Sequence, residues 1–413
     1  MEIIADKITF GGKSLGKIDG KNVFIPYGIP GEVYDVEITD SKRDYDECKI
    51  KKIIKQSENR VTPPCPYYEK CGGCNMLHIS ADAQRAYRKD ILIDIFNQNN
   101  IDISQNTTIV YGPDTNYRAR FQLTNGGLSE KGSNNIVPIE SCLCAENVIN
   151  DYLASTPPAA RPNGRVHFFG SDYVVSNGQN TGKLAISLEE ARGSAARPSA
   201  KKIIGKGSTK NLKIKENKYF QGTVASPENA ITVNLAGHNL TFDVRGFFQS
   251  NLFVFEKVIN LIMSNLPGGK NILDMYAGCG SISTYLADKY ENVVLVEHNR
   301  DAIVYAEQNL SGKGHVSYGL SGANWVKTCS QYCGTFDACV VDPPRSGMEK
   351  EVADYLCKSK IPLILSMSCD PATQARDASK LIKAGYELQE MSLLDFYPNT
   401  SHIESLGVFQ LKI

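Results

Sequence analysis

The sequence has no run of about 18 apolar residues, which excludes a transmembrane helix of ordinary length and leaves no expectation of a membrane partner. Its start, Met1 to Phe10, lacks the basic cluster and apolar stretch of a secretory signal, so the expected compartment is the cytoplasm. An excess of one charge is also missing: 45 Lys and Arg balance 45 Asp and Glu, so global charge gives no argument for a polyanionic partner. What is present is a soluble composition, 42% hydrophobic, in 413 residues, too long for one ordinary core and suited to two or three domains.

Cysteine is plentiful, with twelve residues. In a reducing cytosol these read as thiols with selected jobs rather than as disulfides. Cys65, Cys71 and Cys74 are tightly grouped in a five-then-two spacing that points to a metal or cluster site. Four thiolates hold either zinc or a [4Fe–4S] cluster, and spacing alone does not choose. Enzymes that cleave S-adenosylmethionine into radicals use three then two, so that chemistry is disfavoured. Charge is unevenly spread: residues 192–218 carry nine Lys or Arg and one acid, Glu216, a stretch suited either to phosphate contact or to plain solvation.

Residues 1–58 read as short strands with turns, including a hairpin at Asp19-Gly20, and predict a small β-barrel. Pro63-Pro64 precedes the cysteine group, and a helix is predicted from Ser80, its cap, to Asn97. The rest of 59–240 is a β-rich middle region, with strands expected at Thr108–Tyr111, Phe121–Thr124, Val166–Phe169, Leu184–Leu188 and Ile231–Leu235. From 241 to 413 helix and strand alternate. Apolar runs at Ile272–Met275, Val293–Val296, Ala338–Val341 and Leu363–Met367 predict an α/β, doubly wound, Rossmann-like domain.

The stretch Asn271-Ile-Leu-Asp274-Met-Tyr276-Ala-Gly278-Cys-Gly280-Ser281 is a strand, a glycine turn and a helix start. It is neither an ATPase phosphate loop nor a full dinucleotide fingerprint. Asp274 suits a ligand with a positive amino group, and Glu297, after the next strand, suits ribose hydroxyls. Together they favour S-adenosylmethionine over NAD. The strands ending at Asp342-Pro-Pro-Arg345 and Ser368-Cys369-Asp370-Pro371 bring Asp342 and Cys369 to the same sheet edge. Carbon 5 of uracil accepts a methyl group only after a thiolate has added at carbon 6. The chemistry then needs one cysteine, for which Cys369 is placed, and one base.

These segments, with Phe247-Phe248-Gln249-Ser-Asn251 before them and Phe396-Tyr-Pro398-Asn-Thr400-Ser-His402-Ile-Glu404 after, closely resemble the RNA uracil-5-methyltransferases. Gly31-Glu32, Ser57-Glu-Asn-Arg60 and Cys65-Pro-Tyr-Tyr-Glu-Lys-Cys71-Gly-Gly-Cys74 resemble the branch with a TRAM domain and an iron–sulfur cluster. The resemblance implies Cys369 as nucleophile and Glu404 as base. It implies Gln249, Tyr276, Glu297 and Asp342 around the cofactor, with Asp342 also reaching the uracil edge. Phe247 would stack on a flipped base. It further implies a [4Fe–4S] cluster on Cys65, Cys71, Cys74 and Cys142, with Cys144 as the rival fourth ligand. Asp370 departs from the family's Asn, and a carboxylate there would raise the thiol pKa.

The expected partner is RNA, ribosomal by analogy with the TRAM-bearing branch, and a monomer is expected. Transfer RNA is the nearest alternative substrate. A noncatalytic RNA-binding or ribosome-assembly protein is the alternative of another class, and the joint presence of Cys369, Glu404, Asp342 and the glycine turn speaks against it.

Overall fold

The computed structural model describes residues 1–178, 182–189 and 227–412. The basic stretch 192–218 lies outside the described residues. Strands β1 (Glu2–Ile4), β2 (Lys7–Ile8), β3 (Ser14–Ile18), β4 (Lys21–Ile25), β5 (Val33–Ser41) and β6 (Tyr45–Lys55) form one sheet in the order β1-β5-β6-β4-β3-β2. Consecutive β1 and β2 pair with β5 and β3 respectively, so the sheet closes on itself as a small barrel. Ile3, Val23, Ile25, Tyr34 and Val36 fill it. Asp19 and Gly20 both have positive φ, 50° and 81°, the backbone that a tight hairpin requires and that Gly adopts freely. Glu32 is fully buried. It accepts Arg60 Nε at 2.7 Å and Nη2 at 2.6 Å, a forked ion pair that ties the barrel to the segment after it.

Helix α1 (Ala81–Asn97) begins after Ser80, whose side chain makes no cap bond. It is followed by β7 (Thr107–Val110), β8 (Arg120–Thr124), the short pair β9 (Leu128–Ser129) and β10 (Ile136–Val137), α2 (Asn147–Ser155), β11 (Arg165–Gly170), β12 (Val174–Asn177), β13 (Leu184–Glu189), β14 (Ala230–Leu235) and β15 (His238–Asp243). Two three-stranded sheets result, β13-β11-β8 and β12-β14-β15. The first closes over α2 through Phe121, Leu123, Ile149, Leu153 and Phe168.

The largest sheet carries α3 (Leu252–Asn265), β16 (Gly269–Met275), α4 (Ser283–Leu286), β17 (Tyr290–Val296), α5 (Arg300–Asn309), β18 (His315–Tyr318), α6 (Gly322–Thr328), β19 (Ala338–Val341), α7 (Lys350–Ser359), β20 (Leu363–Ser368), α8 (Pro371–Lys383), β21 (Tyr386–Leu394) and β22 (Glu404–Leu411). Its order is β18-β17-β16-β19-β20-β22-β21-β7. Pairing is parallel from β18 to β20, and β22 enters antiparallel between β20 and β21. Side chains alternate between two cores, as the two-residue strand period dictates. Ile272, Val293, Leu295, Val340 and Leu365 face α3 and the β14–β15 sheet; Leu273, Val294, Val296, Cys339 and Ile364 face α1, α6, α7 and α8.

Two elements counted with the middle region in the sequence reading join this layer. Helix α1 buries Ile91, Leu92 and Phe96 in the second core, and β7 pairs parallel with β21 as the sheet's outer strand. The final strand, β22, is an inner strand, between β20 and β21. Among the described residues no helix is long and apolar enough to cross a membrane.

Helix α1 also grips the chain between β21 and β22. Arg88, 1% exposed, donates from Nη1 to Asp395 Oδ1 at 2.7 Å and lies near the Tyr397 carbonyl. Gln84 exchanges hydrogen bonds with Asn399, taking its amide N–H at 2.8 Å. Breaking a buried ion pair strands the remaining charge. Asp395→Ala is therefore expected to cost about 3–5 kcal/mol in chemical denaturation, and a loss below about 1 kcal/mol would show that Arg88 finds solvent instead.

Candidate active site

The carboxyl edge of the large sheet is set by register. Met275 pairs with both Val296 and Val341, so the next residues, Tyr276, Glu297 and Asp342, leave three adjacent strands side by side. One strand further on, Ser368 pairs with Ser405. Because β22 runs the other way, Cys369 just after β20 and Glu404 at the start of β22 emerge at the same edge. Of the residues read at strand ends, Glu297, Asp342 and Cys369 are thereby brought to one edge, and Tyr276 and Glu404 join them.

Tyr276 has φ of 65°, a left-handed conformation uncommon for a bulky residue, at the point where the chain turns off the sheet. Its hydroxyl accepts the Glu349 amide at 3.1 Å, which fixes the ring. Glu297 is turned toward the glycine loop: its carboxylate accepts Gly278 N–H at 2.9 Å and Asn299 N–H at 2.6 Å. Asp274 lies one residue inside the strand, paired with Leu295 and Val340, rather than at its end. It is buried and takes the Ser283 hydroxyl at 2.5 Å, and burial pushes its carboxyl up to about 7. Asp274, read from the sequence as suited to a ligand amino group, is thus held inside the sheet by Ser283.

Gln249, buried at the loop before α3, keeps its amide oxygen without a hydrogen-bond partner. An unsatisfied buried acceptor suits a ligand with N–H donors, as S-adenosylmethionine has. Phe247, two residues earlier, is 68% exposed.

Cys369 stands immediately before α8. Asp370 caps that helix by accepting the Thr373 amide at 2.9 Å, and Pro371 opens it. The thiol is pushed up to about 11 by burial, then by Glu404 and Asp342; Arg345 opposes them. Asp370, expected to raise it, has its carboxylate turned into the helix cap, and burial, Glu404 and Asp342 lead the rise. Glu404 is pushed up to about 8 by burial and by Asp342, again opposed by Arg345, and burial lifts Asp342 to about 6. His402 is lowered by its surroundings and by the cations Arg345, Arg118 and Arg88. Arg345 was read only as part of a motif. Its loop is seated on α8 through Gly347, with φ of 77°, where a side chain would strike Arg376 and Asp377.

A second site lies behind this one. Cys65, Cys71, Cys74, Cys142 and Cys144 line one cavity of about 370 Å³, together with Tyr117 and Arg118. Cys74 and Cys144 Sγ are 3.6 Å apart, and the Gly73 amide points at Cys71 Sγ at 3.4 Å. Asn150 holds the Cys142 backbone from both sides, at 2.8 and 3.0 Å. Among the described residues, no three His, Cys, Asp or Glu side chains are gathered tightly enough to hold a single metal ion.

Comparison with known proteins agrees with this layout. A family model described as tRNA (Uracil-5-)-methyltransferase matches residues 329–413, a Methyltransferase small domain matches 254–359 and a TRAM domain matches 1–50. An uncharacterized RNA methyltransferase of Treponema denticola is 33% identical, covering 98% of this chain and 97% of its own length. The 23S rRNA (uracil(1939)-C(5))-methyltransferase RlmD of Shewanella amazonensis is 29% identical, covering 97% of this chain and 93% of that protein. The crystal structure of Pyrococcus abyssi tRNA (uracil-54, C5)-methyltransferase in complex with S-adenosyl-L-homocysteine has a TM-score of 0.72, at 20% identity, over 99% of this chain and 100% of that one. The chain thus belongs to the TRAM-bearing RNA uracil-5-methyltransferases, and it is an S-adenosylmethionine-dependent enzyme of that family.

Proposed function

We propose that this RNA uracil-5-methyltransferase acts on 23S ribosomal RNA through a covalent adduct between Cys369 and carbon 6 of the target uracil, with Glu404 as the base. The observation that carries the mechanism is the Ser368–Ser405 register, which presents the thiol and the carboxyl from neighbouring strands. The choice of RNA is supported by relatives named as 23S rRNA methyltransferases that span nearly the whole chain at 26–29% identity. Transfer RNA, named for the structural neighbour, is the second reading. Mass-spectrometric mapping of 5-methyluridine in both RNAs, with and without the gene, separates them.

In this reading Glu297 takes the ribose hydroxyls and the free oxygen of Gln249 takes an N–H of the cofactor, while Tyr276 and Asp342 wall the pocket. S-adenosylmethionine supplies the methyl group as a sulfonium. Cys369 adds as thiolate to carbon 6, and the ring becomes an enolate whose carbon 5 takes the methyl group. Glu404 then removes the proton on carbon 5. The freed electron pair restores the ring double bond and expels the Cys369 sulfur. The N-terminus of α8 and Arg345 favour the thiolate against the two carboxyl groups. Phe247 stacks on the extruded base.

The thiol-lined cavity fits a [4Fe–4S] cluster on Cys65, Cys71, Cys74 and Cys142. A cuboidal cluster bonds each thiolate to a different iron, so its ligands stand around a space; a single zinc ion draws them to one point. Cys142 lies within electrostatic reach of both Cys65 and Cys71, and Cys144 packs between Cys142, Cys74 and Tyr117. Loss of iron and of visible absorbance is expected for Cys142→Ser and not for Cys144→Ser; the reverse pattern makes Cys144 the ligand.

Glu297→Ala is expected to weaken cofactor binding by about 1.5–3 kcal/mol in calorimetry, as a charge-assisted hydrogen bond is lost. Unchanged affinity would assign the ribose to another group. Glu404→Gln should accumulate a methylated protein–RNA adduct that survives denaturing gels and is absent when Cys369→Ala is added. Glu404 must be ionised to act and sits near 8, so the rate of proton removal from the adduct should rise from about pH 6, reach half its limit near pH 8 and level off only about one to two pH units higher. Normal turnover of Glu404→Gln, or a flat profile across that range, moves the base elsewhere, His402 first.

A further inference from the structure

Asn75 follows Cys74 directly and joins three parts of the chain. Its side-chain oxygen accepts the Ser401 amide at 2.8 Å. Its amino group donates to Ser401 Oγ at 2.9 Å and to the Gly11 carbonyl, at the tip of the β2–β3 hairpin, at 3.1 Å. The backbone amides of Asn75 and Met76 both donate to the Asn399 carbonyl, at 3.2 and 3.0 Å. The hairpin is pressed onto this joint: a side-chain carbon on Gly12 would lie 2.8 Å from Asn75 Nδ2 and 2.9 Å from Ser401 Cβ. Tyr117, in the wall of the cysteine cavity, adds a second tie by donating its hydroxyl to the Pro398 carbonyl at 2.9 Å.

Ser401 and Ser405 are then two fixed points, one held by Asn75 and the other by its pairing with Ser368. Glu404 lies between them, preceded by the buried Ile403. Cys369 comes from β20, and the cofactor contacts come from β16, β17, β19 and the loop before α3. The base alone follows directly on the loop that Asn75 holds, at the first position of β22. We propose that Asn75 is a positioning residue that keeps Glu404 aligned on carbon 5 of the methylated uracil, so that its loss slows proton removal and spares adduct formation and cofactor binding. This rests on Glu404 being the base.

The test uses the full-length, iron-loaded enzyme and RNA bearing hydrogen or deuterium at carbon 5 of the target uridine. Asn75→Ala is expected to slow turnover about tenfold, the order of one or two lost hydrogen bonds. It should also raise the deuterium isotope effect above that of the wild type and increase the adduct trapped on denaturing gels. Cofactor affinity and iron content should match the wild type. Asn75→Asp keeps the oxygen that holds the Ser401 amide; it should fall between the two and carries the test if the alanine variant does not fold. An isotope effect and adduct level equal to the wild type, or a rate loss that parallels loss of cofactor affinity and iron, overturns the proposal. Glu404→Gln serves as the reference. If it shows neither trapping nor an isotope effect, the base assignment fails and the proposal falls with it. If it shows both and the Asn75 variants show neither, only the role of Asn75 is refuted.

Discussion

The pairing of β22 with β20 is the constraint on which the site depends. Strand side chains alternate faces, so a slip of one residue would exchange the side chains that β22 presents to the two cores and shift Glu404 away from Cys369. The register is over-determined against that slip. Leu406 and Val408 pack in one core and Phe409 in the other, and Ser405 Oγ donates to Gln374 of α8 at 2.5 Å. Gln374 in turn donates to the Ser366 carbonyl of β20. The same polar bridge thus checks both strands and the helix that Cys369 precedes.

Crowding at that edge has an electrostatic result. Asp342, Glu404 and Cys369 would each be negative if ionised, and they share a partly enclosed space with one opposing cation, Arg345. Poor hydration raises all three, and repulsion from Asp342 adds to it at Glu404 and Cys369. A carboxyl poised near neutrality suits removal of a proton from an adduct better than one ionised throughout. The loop that carries it needs stiff support, and Arg88, Gln84 and Asn75 supply it from elements early in the chain.

Much of this edge was legible in the sequence. Short apolar runs ending in Glu297, Asp342 and Cys369 mark buried parallel strands and where they stop, because both faces of such strands are covered. The run Ile272–Met275 was read with its end in place, but Asp274 lies one residue inside that end: Tyr276 takes the edge position and Asp274 turns inward to Ser283. Strand β18, His315–Tyr318, has no apolar run and stayed hidden beneath its polar residues. Helix α2 was read over as part of a β-rich region, since its nine residues bury only Ile149 and Leu153. Least legible were the long-range ties. Nothing local in Asn75 or Arg88 announces a partner some 300 positions away, because such contacts are specified by the whole fold rather than by a neighbouring pattern.

Strand β7 has a consequence for how the molecule is made. Thr108 meets Ser392 across 284 positions, so the outer strand of the catalytic sheet is synthesised long before the strand it lies against. During translation the barrel, whose pairings are all local, can close early, while α1 and β7 wait with apolar faces uncovered until the last strands leave the ribosome. The sheet is therefore completed only once β21 and β22 have been made, and a chain cut short between β20 and β21 leaves β7 without its partner and β20 open on the side that β22 covers.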